Sequence, residues 1–376
     1  MKTDQSKAML EEIASEPRLF QECFKCRAEL TRDFVRLFLQ YPIKRIYFCG
    51  SGSPSHVGVV MKYAAVKLLK VEATYSYPML FNNHEGFNSG GSYRPEEMVL
   101  ICPAETGRSK GAVLAARKAR KLGIPVICTT LNPQGVLARE CQVVIQKPSG
   151  YEKALPSTKG HSVGIFLFLM CILEAALALG RIGRETYEGY INDMERLAES
   201  CEDAIRQTER WFGAYQDVLM NAGFYRVVAY GANYGTALEA ALKFTEAHRR
   251  LTMAYELEEF MHGPIRTVRP GDVIFLICAE AGQERERIKA LARVLRKITE
   301  NCILVCGEEG IGEKNSLNFR AVDREFLTAV EYLIPFQVLA YRIGDCLGYD
   351  STQGSNTWAK LEMEPGFPDE RQEKDR

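Results

Sequence analysis

Residues 98–130 read MVLICPAETGRSKGAVLAARKARKLGIPVICTT. The apolar run MVLIC has the length of a strand, and a polar loop follows it. From Lys110 to Leu122, small and apolar residues fall on one helical face, with Lys and Arg on the other. A second apolar run, PVICTT, closes the unit. Strand, loop, helix and strand in this order predict two parallel strands joined by a helical crossover.

The same alternation extends in both directions. IYFCG (46–50) lies upstream and QVVIQ (142–146) downstream. The first forty residues form a helical lead-in, with Leu10, Ile13, Leu19, Phe20, Phe24, Leu30, Phe34 and Phe38 mostly three to four apart. A polar helical span from Arg184 to Leu219 reads as a connector. The alternation then restarts with YRVVAYG (225–231), DVIFLICAE (272–280), NCILVCG (301–307) and NFRAVD (318–323). A helix is expected over Glu284 to Thr299 and a last apolar helix from Phe326 to about Cys346. The fold class is therefore α/β: two domains, each a parallel sheet flanked by helices in three layers. The expected organisation is a helical segment over 1–40, a first domain over 41–183, a connector over 184–222, a second domain over 223–350 and a tail over 351–376, charged and frayed after Pro365.

Lys plus Arg number 48 and Asp plus Glu number 48 in the 376 residues, so no net field draws nucleic acid or a membrane, and a small-molecule partner is expected. Several of the twelve cysteines, including Cys49, Cys102, Cys128, Cys278 and Cys302, sit in or beside strand-like runs, where a reduced thiol packs as a small hydrophobe. A reducing, cytoplasmic setting follows. Cys23 and Cys26 have CxxC spacing in a helical context without a matching ligand pair, so no metal is expected. The start carries no secretory pattern. VGIFLFLMCILEAALALG (163–180) approaches a membrane span in length, but Glu174 within it favours a helix buried in a protein core.

In a parallel α/β sheet, ligands gather where strands end and helices begin. After IYFC comes Gly50-Ser51-Gly52-Ser53-Pro54-Ser55, small enough for backbone to approach an anion but not a full dinucleotide fingerprint. After MVLIC come Thr106, Gly107, Arg108 and Ser109 at a helix start, where hydroxyls, amides and a cation suit a phosphate monoester. Glu105 in the same loop would repel one unless it points away. Ser157 and Thr158 precede the apolar helix, where they either cap it or hold sugar hydroxyls. In the second half, Lys243, Glu246 and His262 lie in or just after the helix that follows YGANYG, and Gly263-Pro264 leaves the imidazole at a loop edge. A carboxylate and an imidazole suit proton transfer, although such residues taken singly are more often surface or capping groups, as His84 and His248 are read.

Taken together, these loops resemble those of tandem sugar-isomerase (SIS) domain proteins over nearly the whole chain. The isomerase domain of glucosamine-6-phosphate synthase has KxxE followed, sixteen residues after that Glu, by His-Gly-Pro. Lys243, Glu246 and His262-Gly263-Pro264 reproduce this spacing. Its SQSGET loop corresponds to Ala104–Ser109, its STK to Ser157-Thr158-Lys159, and its C-terminal lysine to Lys360. IYFCGSGSP, YGANYG and EEFMHGP are more similar to the fructosamine-6-phosphate deglycases. No glutamine-hydrolysing domain with an N-terminal cysteine is read in the sequence.

The resemblance implies a flavodoxin-like architecture in each domain and a phosphorylated sugar or amino sugar as substrate. It implies catalysis by Glu246, His262 and Lys360, with binding by Gly52, Ser53, Thr106, Gly107, Arg108, Ser109, Ser157, Thr158 and Lys243. No cofactor is implied, and the histidine's family role implies a homodimer with shared sites. The expected activity is deglycation of a fructosamine 6-phosphate, with an isomerase or deaminase of an amino-sugar 6-phosphate, or a non-catalytic sugar-phosphate sensor, as alternatives.

Overall fold

The computed structural model describes residues 7–307, 315–363 and 366–367, apart from the side chains of residues 360 and 361. It divides into two compact units. One comprises Lys25–Tyr151, Val163–Glu188 and Gly354–Arg376. Its five strands are β1 (Arg45–Cys49), β2 (Glu72–Ser76), β3 (Met98–Pro103), β4 (Val126–Thr130) and β5 (Val143–Gln146). They form a parallel sheet in the order β2-β1-β3-β4-β5. Every residue of β3 and β4 is buried, as strands between two helical layers must be.

The helices of this unit include α2 (Arg27–Gln40), α3 (Ser53–Ala64), the single turn α4 (Pro78–Leu80), α5 (Lys110–Lys121) and most of α6 (Lys159–Ala178). On α5, Ala112, Val113, Ala115, Ala116 and Ala119 are buried, and Lys118, Arg120 and Lys121 sit in its last turn, where cations complement the helix dipole. Along α6, 83% of an 18-residue window is buried, so this long apolar helix has the character of a core helix. Glu174 on it accepts from Arg27 Nε at 2.8 Å and from the Tyr187 hydroxyl at 2.6 Å.

The other unit comprises Met1–Phe24, Glu152–Ser162 and Gly189–Gln353. Its helices are α1 (Ala8–Lys25), most of α7 (Arg184–Asn221), α8 (Asn233–His248), α9 (Leu257–His262), α10 (Gln283–Leu295), α11 (Thr328–Glu331) and α12 (Ile334–Cys346). Strands β6 (Tyr225–Ala229), β7 (Thr252–Glu256), β8 (Val273–Cys278), β9 (Cys302–Gly307) and β10 (Ser316–Phe319) form a parallel sheet ordered β10-β9-β8-β6-β7.

Several expectations need correction. Strands β2 and β7 escaped the sequence reading because both are edge strands, EATYS and TMAYE, largely half-exposed and without an apolar run. The lead-in is two helices that break at Cys26 and fall mostly in different units. The last apolar helix is also two pieces, with Phe326 at φ 71° and Pro335 at the start of α12. Of NFRAVD only Asn318 and Phe319 are strand. His248 is not a surface residue: it is 1% exposed, packs on Tyr225 and Phe244, and burial pushes its imidazole down to about 3. The frayed tail lies outside the described residues, except for Gly366 and Phe367.

Candidate functional site

In each sheet the chain steps outward from its first strand to an edge strand, then returns to the first strand's other side. That reversal opens a crevice at the carboxyl ends, between β1 and β3 in one unit and between β6 and β8 in the other. The loop after β1 turns at Gly52, whose φ of +65° and ψ of −139° suit glycine, and α3 begins with Ser53, which is buried. Facing it, the loop after β3 turns at Gly107, with φ +67°. A Cβ there would lie 3.2 Å from Thr130 Oγ1 and 3.3 Å from Leu137 Cβ, so conformation and space both call for glycine. Thr106 and Ser109 are exposed, and Ser109 stands at the N-cap of α5 without a side-chain capping bond. Their hydroxyls and the first amides of a twelve-residue helix suit an anion.

The crevice between β6 and β8 is built differently. Asn233 Nδ2 reaches both oxygens of Glu280 at 3.2 Å and Thr328 Oγ1 at 3.0 Å, while the Thr328 hydroxyl donates to Glu280. Asn233 and Thr328 are 1% and 0% exposed, so the second crevice is filled by its own hydrogen-bonded side chains. Burial pushes the Glu280 carboxyl up to about 7.

On α8 of the same unit, Lys243 is fully buried, with Nζ 3.3 Å from Glu239 Oε1 and 2.6 Å from Glu246 Oε2. Burial alone would lower its ammonium; Glu239 and Glu246 outweigh that and raise it above its ordinary value. Glu239 is also buried, with His161 Nδ1 3.7 Å from its second oxygen. Glu246, three residues beyond Lys243, has 38% of its side chain exposed. The helical three- and four-residue spacings thus place a buried cation between an inner carboxylate and an outer one. Arg249, at φ 60°, ends α8, and β7 intervenes before α9. His262 is the last residue of α9, 78% exposed, with Glu258 Oε2 at 4.0 Å. No hydrogen bond or ion pair joins His262 to Glu246 among the described residues.

Residues 41–173 and 221–341 both match the model of the SIS domain. The chain belongs to the SIS domain family. It is 22% identical over 370 residues to glutamine–fructose-6-phosphate aminotransferase (isomerizing) of Clostridium tetani, covering 95% of this chain and 59% of that enzyme's length. Its fold is similar to the C-terminal domain of glucosamine-fructose-6-phosphate aminotransferase from Francisella tularensis, with TM-score 0.83, 18% identity, and 93% and 99% of the two chains covered. It is also similar to tagatose-6-phosphate ketose/aldose isomerase from Escherichia coli, with TM-score 0.69, 18% identity, and 92% and 95% covered.

Within the first SIS domain, Gly52, Ser53, Thr106, Gly107, Arg108 and Ser109 lie on the two loops flanking the crevice, as the strand order requires. Arg108 is partly committed elsewhere, because its Nε donates to Phe367 O at 2.8 Å and its own carbonyl accepts from Phe367 N at 3.1 Å. Ser157 and Thr158 donate their hydroxyls to Glu152, whose carboxylate is the cap. Glu152 accepts from Ser157 Oγ at 2.7 Å, Thr158 N at 2.7 Å, Thr158 Oγ1 at 2.9 Å and Gly160 N at 3.0 Å, which satisfies the start of α6. Thr158 is 0% exposed, so its expected contact with sugar is replaced by this one. Lys243, expected to bind substrate, is shut away from solvent and acts on Glu246. Lys360 lies in α13 (Thr357–Met363), and its side chain is outside the described residues. The sequence reading missed Glu239, although its spacing four before Lys243 was a usable signal. Glu152 stands at the head of the candidate loop over 152–159 without a role of its own in the sequence reading, and Lys147, which carries no signal, was missed.

Proposed function

We propose that this SIS protein is an enzyme that moves a proton between C1 and C2 of a phosphorylated ketose derivative. The observation that carries this reading is Glu246: a carboxylate open to solvent yet gripped at 2.6 Å by a fully buried ammonium. Such a group holds one orientation while its other oxygen remains available as a base, an arrangement that general acid–base catalysis needs. The loop after β3, with Thr106 and Ser109 exposed beside the turn at Gly107, supports phosphate recognition, which would orient the sugar.

The finer assignment is a deglycase for a fructosamine 6-phosphate, supported by the IYFCGSGSP, YGANYG and EEFMHGP resemblances. Here His262 assists opening of the sugar ring. Glu246 takes a proton from C1 to leave an enolamine, then returns one to C2. The resulting C1 Schiff base adds water and releases an aldose 6-phosphate and the amine. His262, 78% exposed at the end of α9, supports a site shared between two copies of the chain. The relatives favour a second reading, aldose–ketose isomerisation or deamination of an amino-sugar 6-phosphate, in which Glu246 serves the same carbons.

Incubation with fructoselysine 6-phosphate and with glucosamine 6-phosphate separates these readings. Glucose 6-phosphate plus free lysine supports the deglycase, fructose 6-phosphate supports the second reading, and turnover of neither refutes both.

A further inference from the structure

A negative charge stands in the loop that is to hold an anion. Glu105 follows Ala104 at the end of β3, one residue before Thr106, and 27% of its side chain is exposed. Its carbonyl accepts from Leu131 N at 2.7 Å and Thr130 Oγ1 at 3.1 Å, so the loop is tied to the end of β4. The side chain continues to the end of β5, where Lys147 Nζ donates to its carboxylate. Lys147 has only 3% of its side chain exposed, and its amide donates to Thr130 O at 3.0 Å. Three consecutive strand ends of the sheet are thereby linked through one ion pair.

The second SIS domain repeats the loop as Ala279-Glu280-Ala281-Gly282, against Ala104-Glu105-Thr106-Gly107 in the first. There burial pushes the carboxyl up and Asn233 and Thr328 bind it, with no ion pair to a lysine among the described residues. One loop, used twice, balances its carboxylate with a buried cation where Thr106 and Ser109 are exposed, and with neutral partners where Asn233 and Thr328 are buried. Drawing an ammonium almost wholly out of water is unfavourable unless a fixed charge needs it. A carboxylate beside a phosphate dianion is such a charge.

We propose that Lys147 is a positioning residue for phosphosugar binding, whose buried ammonium cancels the charge of Glu105 and so lets Thr106, Gly107 and Ser109 accept a phosphate dianion beside it. This inference rests on the phosphosugar reading of the crevice. It makes the two members of one ion pair act with opposite sign on anion affinity, which a purely structural pair would not do.

The test is calorimetric titration of glucose 6-phosphate into the full chain as wild type, Lys147→Met, Glu105→Gln and the double variant, with thermal melting of each. Lys147→Met weakens binding by about tenfold, and added salt narrows the deficit. Glu105→Gln removes the negative charge beside the anion while keeping the lysine and tightens binding several-fold, and the double variant returns close to wild type. Equal affinity in wild type and Lys147→Met, or weakened binding in Glu105→Gln, overturns the proposal. If Lys147→Met fails to fold, Glu105→Gln decides it alone by the sign of its effect. A wild type that binds no sugar phosphate instead removes the phosphosugar reading, and this inference with it.

Discussion

Replacing Lys243 by methionine removes a cation that touches two carboxylates of different exposure, and the two losses differ in size. Glu246 is 38% exposed, so solvent screens its charge and the lost pair costs less than about 1 kcal/mol. Glu239 is fully buried and 3.3 Å from the ammonium, so the variant leaves a carboxylate without its cation in the interior, at about 3–5 kcal/mol. Urea denaturation reads the difference as a lower midpoint at unchanged slope. Adding Glu239→Gln removes the buried charge itself, and the double variant recovers to within about 1 kcal/mol of wild type. Turnover stays depressed in both, because Glu246 has lost the group that orients it. A single variant as stable as wild type, or a double variant no better than the single, refutes the buried-cation account.

Gly107→Ala forces a side chain into a left-handed conformation with its Cβ 3.2 Å from Thr130 Oγ1; it should lower stability by about 1–2 kcal/mol and weaken glucose 6-phosphate binding, both measurable by melting and titration. Thr158→Val removes one of the four hydrogen bonds that converge on Glu152 and should cost about 1–2 kcal/mol in denaturation while leaving KM unchanged, as a donor to the capping carboxylate rather than a sugar contact would. Burial pushes the Glu16 carboxyl up to about 8; Ser162 and Gln337 lie close enough to oppose this slightly, but neither makes a full hydrogen bond to it. The folded state then keeps a proton that the unfolded chain loses near pH 4.5, so stability present below that pH is lost as pH rises through 8, by about 3 kcal/mol between pH 5 and 8. Glu16→Gln should flatten this slope in melting temperature measured across that range.

The buried strands were legible because burial on both faces demands short apolar runs such as MVLICP and VIFLIC, which their length separates from the longer apolar helix α6. The edge strands were not, since one exposed side lets EATYS and TMAYE carry charge and hydroxyls. That omission mattered at the site. With β7 unseen, Lys243, Glu246 and His262 read as one helix and its end, whereas they occupy two helices on either side of a strand. The loops at the first crevice were legible from strand endings alone, because the strand order puts the crevice where those loops leave the sheet. What each side chain touches was not. Nothing in the order of residues tells that Thr158 turns to Glu152, that Arg108 turns to Phe367, or that Lys147 reaches across to Glu105.

The central claim is that Glu246 removes a proton from C1 of a sugar phosphate. Fructoselysine 6-phosphate and fructose 6-phosphate deuterated at C1 allow that step to be followed by NMR as release of label to water, whichever product forms. Wild type should release the label, and Glu246→Gln should do so at least about a hundredfold more slowly while binding the sugar phosphate as tightly. Release at the wild-type rate by Glu246→Gln would contradict the account.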